Sequence, residues 1–387
     1  TPLYSSAASD VYKRQTLVCT TACSLEDPNS LSPDATFVKF FGGAGVDKAA
    51  DFVVNYQGNE VDSYVIFGSS NSYDLTHQGT HTEWVLIFTD GGGNLRPDGV
   101  KRFPVADFLP SLPIVQATTT VECIPSRIKK MDAGGYLLIG SIEYDVKVNG
   151  VEKRQADMLV VRVDSEGNYS HTTDVKVLGT YRTKAKLPLT SPVTYDTLIF
   201  DHYGSDIVEI SEGFFCVGTT TDVASRDFAN IGTNDFYIVK LSASLDTVWT
   251  KSEGTIADDF GVSAVSVSGG TKVYVAGSTR STAPNSVSND LNAALIKYGV
   301  TGSVRPVNEG FISVGSSSFD EDVVRIIKLA DNDIFLAGNA AIAGGGATKP
   351  YLARVTSNEV QLNVRMTDVP AGVFVSDFYR TLGGRFV

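Results

Sequence analysis

Four cysteines, two tryptophans, three methionines and four histidines are all that 387 residues hold of those types. So few cysteines cannot staple a chain of this size, and its fold must rest on a packed core. Basic side chains are also in short supply: 32 Lys and Arg face 44 Asp and Glu, a net charge of −12. That balance disfavours nucleic acid, which needs a basic face, and suits a soluble extracellular surface. No apolar run reaches the length of a membrane-spanning helix. No long stretch keeps a 3.6-residue period, so the chain is not helical. The sequence also lacks a G-x-S-x-G elbow, an H-E-x-x-H pair, a P-loop and a C-x-x-C pair.

What the chain has instead is repetition. The phrases "VDSYVIFGS" (61–69), "AGGYLLIGS" (133–141), "SEGFFCVGT" (211–219), "GTKVYVAGS" (270–278) and "DNDIFLAGN" (331–339) share one pattern. Each is a turn residue, a short run of aromatic and β-branched residues, then Gly followed by Ser, Thr or Asn. The glycines Gly68, Gly140, Gly218, Gly277 and Gly338 are spaced by 72, 78, 59 and 61 residues. An apolar run precedes each phrase, and another follows after a polar loop: "EWVLIFTD", "DMLVVRVD", "DFYIVKLS", "NAALIKYG" and "PYLARVTS". A weaker fourth run, such as "TVWTKSEG" (247–254), closes the unit. Short β-forming runs bounded by turn residues read as hairpin-linked strands. Four antiparallel strands, A to D, with apolar side chains on both faces must be covered on both sides, and a radial ring of such sheets does this. The expected fold is therefore an all-β propeller of four-stranded antiparallel blades.

"LGGRFV" (382–387) matches the start of the same phrase, and "TFVKFFGGAG" (36–45) matches a strand-D phrase. This predicts five recognisable blades plus a truncated sixth. The first ordered strand would lie beside the last, and the intact protein would have six or more blades. Residues 36–387 form the propeller in this reading.

"SEGFFCVGTTTD", "NDFYIVKLSASLDTVWTKSEG" and "DAGGYLLIGS" resemble bacterial β-propeller repeats of the SBBP and delta-60 kind. That resemblance implies the fold and is nearly silent on activity. Residues 1–15 end in "DVYKRQ", which resembles the translation of a sequencing adaptor, and are set aside as an artefact. Residues 16–22 resemble the remnant of a lipoprotein signal peptide, with a small residue before Cys23. Residues 23–35 then form a flexible tether. The resemblance implies lipidation at Cys23 and attachment through that anchor alone. Glu26 and Asp27 resemble the surface-export signal of Bacteroidota outer-membrane lipoproteins, which implies a place on the cell surface.

Loops B–C and D–A share one face of a propeller, and here both are long. Connections 95–126 and 168–205 belong to that face. Candidate ligand-binding residues on it are Tyr73, His77, His81, Tyr144, Tyr181 and Phe228, the aromatics as platforms for sugar rings. His77 and His81 stand at i, i+4, but in a Gly- and Thr-rich stretch without a carboxylate partner, so no metal site is assigned. Acidic residues recur before strand A: Asp47 and Asp51, Asp206, Asp258 and Asp259, Asp320 to Asp322, and Asp377. They are read as turn residues bonding local backbone N–H groups, with a ring holding Ca²⁺ as the other reading. Asp157, Asp235 and Asn292, at the head of strand C, receive a turn role as well. Cys216 is read as a small buried apolar residue.

With no catalytic constellation, the sequence favours a non-enzymatic, surface-anchored propeller. It would bind a protein or glycan through the loop face, or serve as an accessory subunit of an outer-membrane complex, and needs no cofactor. The alternative is a polysaccharide-acting hydrolase or lyase with carboxylates on that face. The two are separated by whether two acidic side chains converge there.

Overall fold

The computed structural model describes residues 39–72, 81–112, 121–148, 150–185, 195–222, 234–255, 257–280, 291–301, 307–314, 319–329, 332–342, 348–356, 361–366 and 374–379. It is a β-propeller. The first blade holds β1 (Asp47–Gln57), β2 (Glu60–Ser70), β3 (His81–Asp90) and β4 (Leu95–Phe103). The second holds β5 (Val121–Lys130), β6 (Tyr136–Val148), β7 (Val151–Val163) and β8 (Val175–Leu178). After a hairpin of β9 (Thr180–Ala185) and β10 (Tyr195–Phe200) comes the third blade: β11 (His202–Ile210), β12 (Gly213–Thr220), β13 (Asp235–Leu241) and β14 (Thr247–Glu253). The fourth holds β15 (Asp259–Val267), β16 (Lys272–Thr279), β17 (Asn292–Gly299) and β18 (Val307–Val314). The fifth holds β19 (Phe319–Lys328), β20 (Ile334–Ile342), β21 (Lys349–Val355) and β22 (Gln361–Met366). Strands pair antiparallel with their sequence neighbours within each blade, and a two-residue parallel bridge, His81–Val121 and Thr82–Glu122, joins the first two blades.

Apolar side chains from adjacent blades interleave. One cluster joins blades one and two around Trp84, Phe67, Leu138 and Tyr144, and another joins blades two and three around Met158, Cys216 and Val239. Two more join blades three to four and four to five, around Phe215 with Val275 and Ala276 with Tyr351. Cys216 is buried and free, as its place in a strand implies, and Cys123 is likewise buried and free.

The repeated glycines have one shared cause. In every innermost strand the pairing register slips by one residue: at Ala49/Asp51, Pro125/Arg127, Gly204/Asp206, Gly261/Ser263 and Val323/Arg325. Each bulge turns a carbonyl (Lys48, Ile124, Tyr203, Phe260 or Asp322) onto the glycine of the second strand, where a β-carbon would collide with it. The Ser, Thr or Asn after the glycine then ties one blade to the next. Gly204 N–H donates to Ser141 Oγ (3.1 Å), Gly261 N–H to Thr219 Oγ1 (3.2 Å) and Val323 N–H to Ser278 Oγ (3.2 Å). At the first junction the equivalent residue is Pro125, which has no N–H to give.

The same tie recurs after the fifth blade: Val375 N–H donates to Asn339 Oδ1 (2.6 Å), and Asn339 Nδ2 donates to Val375 O (3.0 Å). Residues 374–379 thus take the sixth innermost place, although they form no strand. Residues 39–41, expected as a strand, are irregular and pair with no strand among the described residues. Lys39 instead donates to Asn94 Oδ1 (3.0 Å).

Two expectations for the connections are corrected. The B–C connection of the second blade, 142–156, is no plain loop: it largely extends β6 and β7 into a long hairpin turned at Gly150, whose φ is +83°. Its side chains alternate between Ile142, Tyr144, Val146 and Val148 inside and polar residues outside, a period-two pattern that holds a strand. Stretch 168–205 is likewise no plain loop: it carries β8 and the β9–β10 hairpin.

Candidate functional site

The residues that follow the five bulges, Asp51, Arg127, Asp206, Ser263 and Arg325, are joined by Asp377 of the sixth segment. Contacts among them run between non-adjacent as well as adjacent blades, which places the six at the propeller axis. Where the residue can accept, the next blade's backbone donates to it: Ile128 N–H to Asp51 Oδ2 (3.2 Å), Ala264 N–H to Asp206 Oδ2 (3.0 Å) and Ile326 N–H to Ser263 Oγ (3.3 Å). An arginine has no acceptor. After Arg127 the following N–H, Ile207, turns to its own neighbour Asp206 Oδ1 (2.9 Å); after Arg325, Phe378 N–H turns to Asp377 Oδ1 (2.7 Å). An aspartate therefore follows each axial arginine around the ring.

The ring is cross-linked by charge. Arg325 Nη2 lies 3.0 Å from Asp51 Oδ2, and Nη1 lies 2.9 Å from Asp377 Oδ1. Arg127 donates to Asp377 Oδ2 (3.3 Å) and Val324 O (3.1 Å). Lys129 Nζ lies 3.2 Å from Asp206 Oδ1, and Ser263 Oγ donates to Oδ2 (2.9 Å). Burial pushes the Asp206 carboxyl up, but the Lys129 ammonium and the Arg127 guanidinium outweigh it and hold the group below the usual carboxylate range. The three axial acids thus pair with cations of the protein. Other acids of the pattern also accept from backbone N–H groups. Asp47 does so locally, whereas Asp258, Asp320 and Asp322 reach groups 24, 29 and 17 residues away and tie separate strands and loops together rather than closing local turns. Asp47 accepts from Gly43 N–H (2.9 Å), Asp258 from Asn234 N–H (3.2 Å), Asp320 from Leu291 N–H (2.7 Å) and Asp322 from Asn339 N–H (2.8 Å). Among the described residues no group of three or more His, Cys, Asp and Glu is placed to hold a metal ion.

A cavity of about 690 Å³ opens beside the axis on the loop face, lined by Lys48, His81, Glu122, Ser126, Arg127 and Ser205 among others. A second, of about 780 Å³, runs along one face of the first blade and shares Lys48, Ala49, Ala50 and Ser69 with it. Phe40, Phe41, Phe52 and Tyr64 line this groove together with Asp51 and Asp377. Phe40 and Phe52 are about half exposed or more, at 65% and 48%.

Of the sequence-predicted residues, His81 lies at the first cavity, where its Nδ1 accepts the Val121 N–H (3.0 Å). Tyr144 does not belong to a loop surface. It sits in β6, fully buried, with its hydroxyl donating to Asp157 Oδ2 (2.5 Å). It cannot stack on a ligand. Tyr181 falls in β9. Cys23, Tyr73, His77 and Phe228 lie outside the described residues.

Asp157 is no turn residue either. It is fully buried in β7, and burial pushes its carboxyl up to about 6 against the hydrogen bonds from Tyr144 and Gln155. Asp235 and Asn292 are buried at the heads of β13 and β17. Close by, His202 is buried with Nδ1 2.9 Å from Phe200 O and Nε2 3.1 Å from Thr180 Oγ1, and burial lowers its pKa to about 4. The sequence reading missed the axial arginines. The signal was present: Arg127 and Arg325 stand where Asp51 and Asp206 stand in the strand-A phrases.

No family model matches the chain, and no curated protein matches it. Among solved structures the chain is similar to an exo-1,5-alpha-L-arabinanase from a bovine ruminal metagenomic library. That match has 9% identity and TM-score 0.35, over 85% of this chain and 100% of that one. It is also similar to an endo-arabinanase from Bacillus licheniformis, at 13% identity and TM-score 0.29, over 84% of this chain and 100% of that one. A third is a glycosyl hydrolase from Bacteroides ovatus, at 9% identity and TM-score 0.28, over 82% and 87%. The expectation of a non-enzymatic protein is not retained; the three structures are an exo-arabinanase, a glycosyl hydrolase and an endo-arabinanase. The propeller itself stands on the strand pairing of this chain.

Proposed function

We propose that the chain is a polysaccharide-acting enzyme working at the two adjoining cavities. The observation that carries this reading is the carboxylate pair Asp51 and Asp377. They sit on the two terminal nitrogens of the single Arg325 guanidinium and face a groove lined by exposed phenylalanines. Asp51 is buried against Arg325 and the Ile128 N–H, so in this reading it fixes the guanidinium that holds Asp377 and does not itself transfer a proton. Rings such as Phe40 and Phe52 offer flat apolar faces to the C–H side of a sugar. Asp377, the more exposed of the pair, supplies negative charge to an oxocarbenium-like transition state, and Arg325 and Arg127 fix its position. Glu122, on the wall of the first cavity, is the candidate proton carrier.

The test is product release from a panel of plant and bacterial polysaccharides, read both as new reducing ends and as unsaturated uronate absorbance. Turnover that falls at least about a hundredfold in Asp377→Asn and Glu122→Gln, with folding intact, supports the reading. Turnover unchanged in both variants, or no product from any substrate, overturns it.

The reading includes a surface address. The small residue before Cys23 and the acidic, Pro-containing stretch after it support a lipid-anchored protein displayed outside the cell. Release from the membrane fraction on Cys23→Ser would bear this out, and unchanged fractionation would refute it.

A further inference from the structure

We infer that the first cavity takes an anionic group on the polysaccharide, a uronate carboxylate or a sulfate, between Lys48 and Arg127. This rests on the enzymatic reading above and names its substrate class. The chain as a whole is acidic, at −12, yet this cavity is lined by two cations and one carboxylate. The carboxylate, Glu122, already has a cation at 3.5 Å, Arg154, which also reaches Glu143 and Asp145. Lys48 is exposed and has no acidic partner among the described residues. It belongs to the lining of both cavities, so its ammonium stands where a sugar chain passing from one to the other must go. Arg127 lines the first cavity with a side chain only 12% exposed. Its two terminal nitrogens are taken up by Asp377 and Val324 O. Its Nε makes no hydrogen bond among the described residues and is a remaining donor for an oxyanion. Hydroxyls of Ser126 and Ser205 and the side chain of Asn71 stand around the same space and suit sugar hydroxyls. The net charge of the chain does not forbid an anionic polymer. At physiological ionic strength exposed charges more than about 8 Å away are largely screened, so the local lining decides.

The experiment is affinity electrophoresis of the full chain in gels containing polygalacturonate, a sulfated galactan or a neutral glucan, repeated at low and high salt. Retardation at least about tenfold stronger in an acidic gel than in the neutral one, and weakened by salt, is the expected result. Lys48→Glu, a change at an exposed side chain, should abolish most of that preference and Lys48→Ala should reduce it several-fold. A response to polygalacturonate alone assigns the carboxylate, and a response to both polymers assigns any sugar-borne anion. Equal retardation by the neutral glucan, or Lys48→Glu behaving as wild type, overturns the inference. Acidic-glycan binding without turnover leaves it standing and removes the enzymatic reading; turnover of a neutral glycan alone does the reverse.

Discussion

Arg325 and Asp51 are 274 residues apart in sequence, yet Nη2 of the first lies 3.2 and 3.0 Å from the two carboxylate oxygens of the second. The same guanidinium grips Asp377, so one side chain of the fifth blade ties the first blade to the sixth innermost segment.

Breaking that contact should be expensive. Arg325→Met leaves Asp51 buried without its cation, and loss of one partner of such a pair costs about 3 to 5 kcal/mol. Denaturant unfolding should show this as a lower midpoint, and the double variant Asp51→Asn with Arg325→Met should recover part of it. A single-variant loss below about 1 kcal/mol would remove the clasp.

The blade glycines make a second prediction. Gly218→Ala places a methyl against the Tyr203 carbonyl and should destabilise by about 2 kcal/mol or more. Gly58 is a useful contrast: its φ is +63° with open space around it, so Gly58→Ala should cost only about 1 kcal/mol of backbone strain. Equal losses would show that the close carbonyl approach is not what the glycine serves.

A third concerns pH. Asp157 has a folded pKa raised to about 6, so the native state holds a proton that the unfolded state has released, and its contribution falls as pH rises from about 4 to 6. His202 has a folded pKa lowered to about 4, so the unfolded state takes up the proton first, and its contribution rises over nearly the same interval. Each amounts to about 3 kcal/mol, with opposite sign. The two should largely cancel in the wild type. Asp157→Asn should leave stability climbing between pH 4 and 6.5, and His202→Gln should leave it falling between pH 4 and 6. Chemical denaturation at four or five pH values decides, and parallel profiles would refute the pairing.

Cys123 and Cys216 give a fourth. Both are buried, and burial raises their thiol pKa far above the ordinary value. Neither should react with a thiol reagent in native protein at pH 8, and both should react in denaturant. Fast native labelling of either would contradict the packing.

The repeat phrases carried the propeller because Gly68, Gly140, Gly218, Gly277 and Gly338 all answer one steric demand, the bulge carbonyl. The Ser, Thr or Asn after them was also legible, though its use, accepting an N–H from the next blade, was not. Tyr144 was misplaced because the polar residues of "EYDVKV" look like loop chemistry, whereas in space Glu143, Asp145 and Lys147 form the outer face of a hairpin strand. The site resisted for a different reason. Asp51, Arg325 and Asp377 meet only when the ring closes, and no local spacing encodes a meeting across 274 residues.

The kink in each innermost strand has a consequence for how the blades can differ. It turns one residue per sheet away from the apolar contacts between blades and into a buried polar hub, where aspartate, arginine and serine are all accommodated on the same scaffold. Different side chains can therefore occupy the hub from blade to blade of one chain while the surrounding sheets stay alike, provided that each arginine is followed by an acid able to receive the orphaned amide.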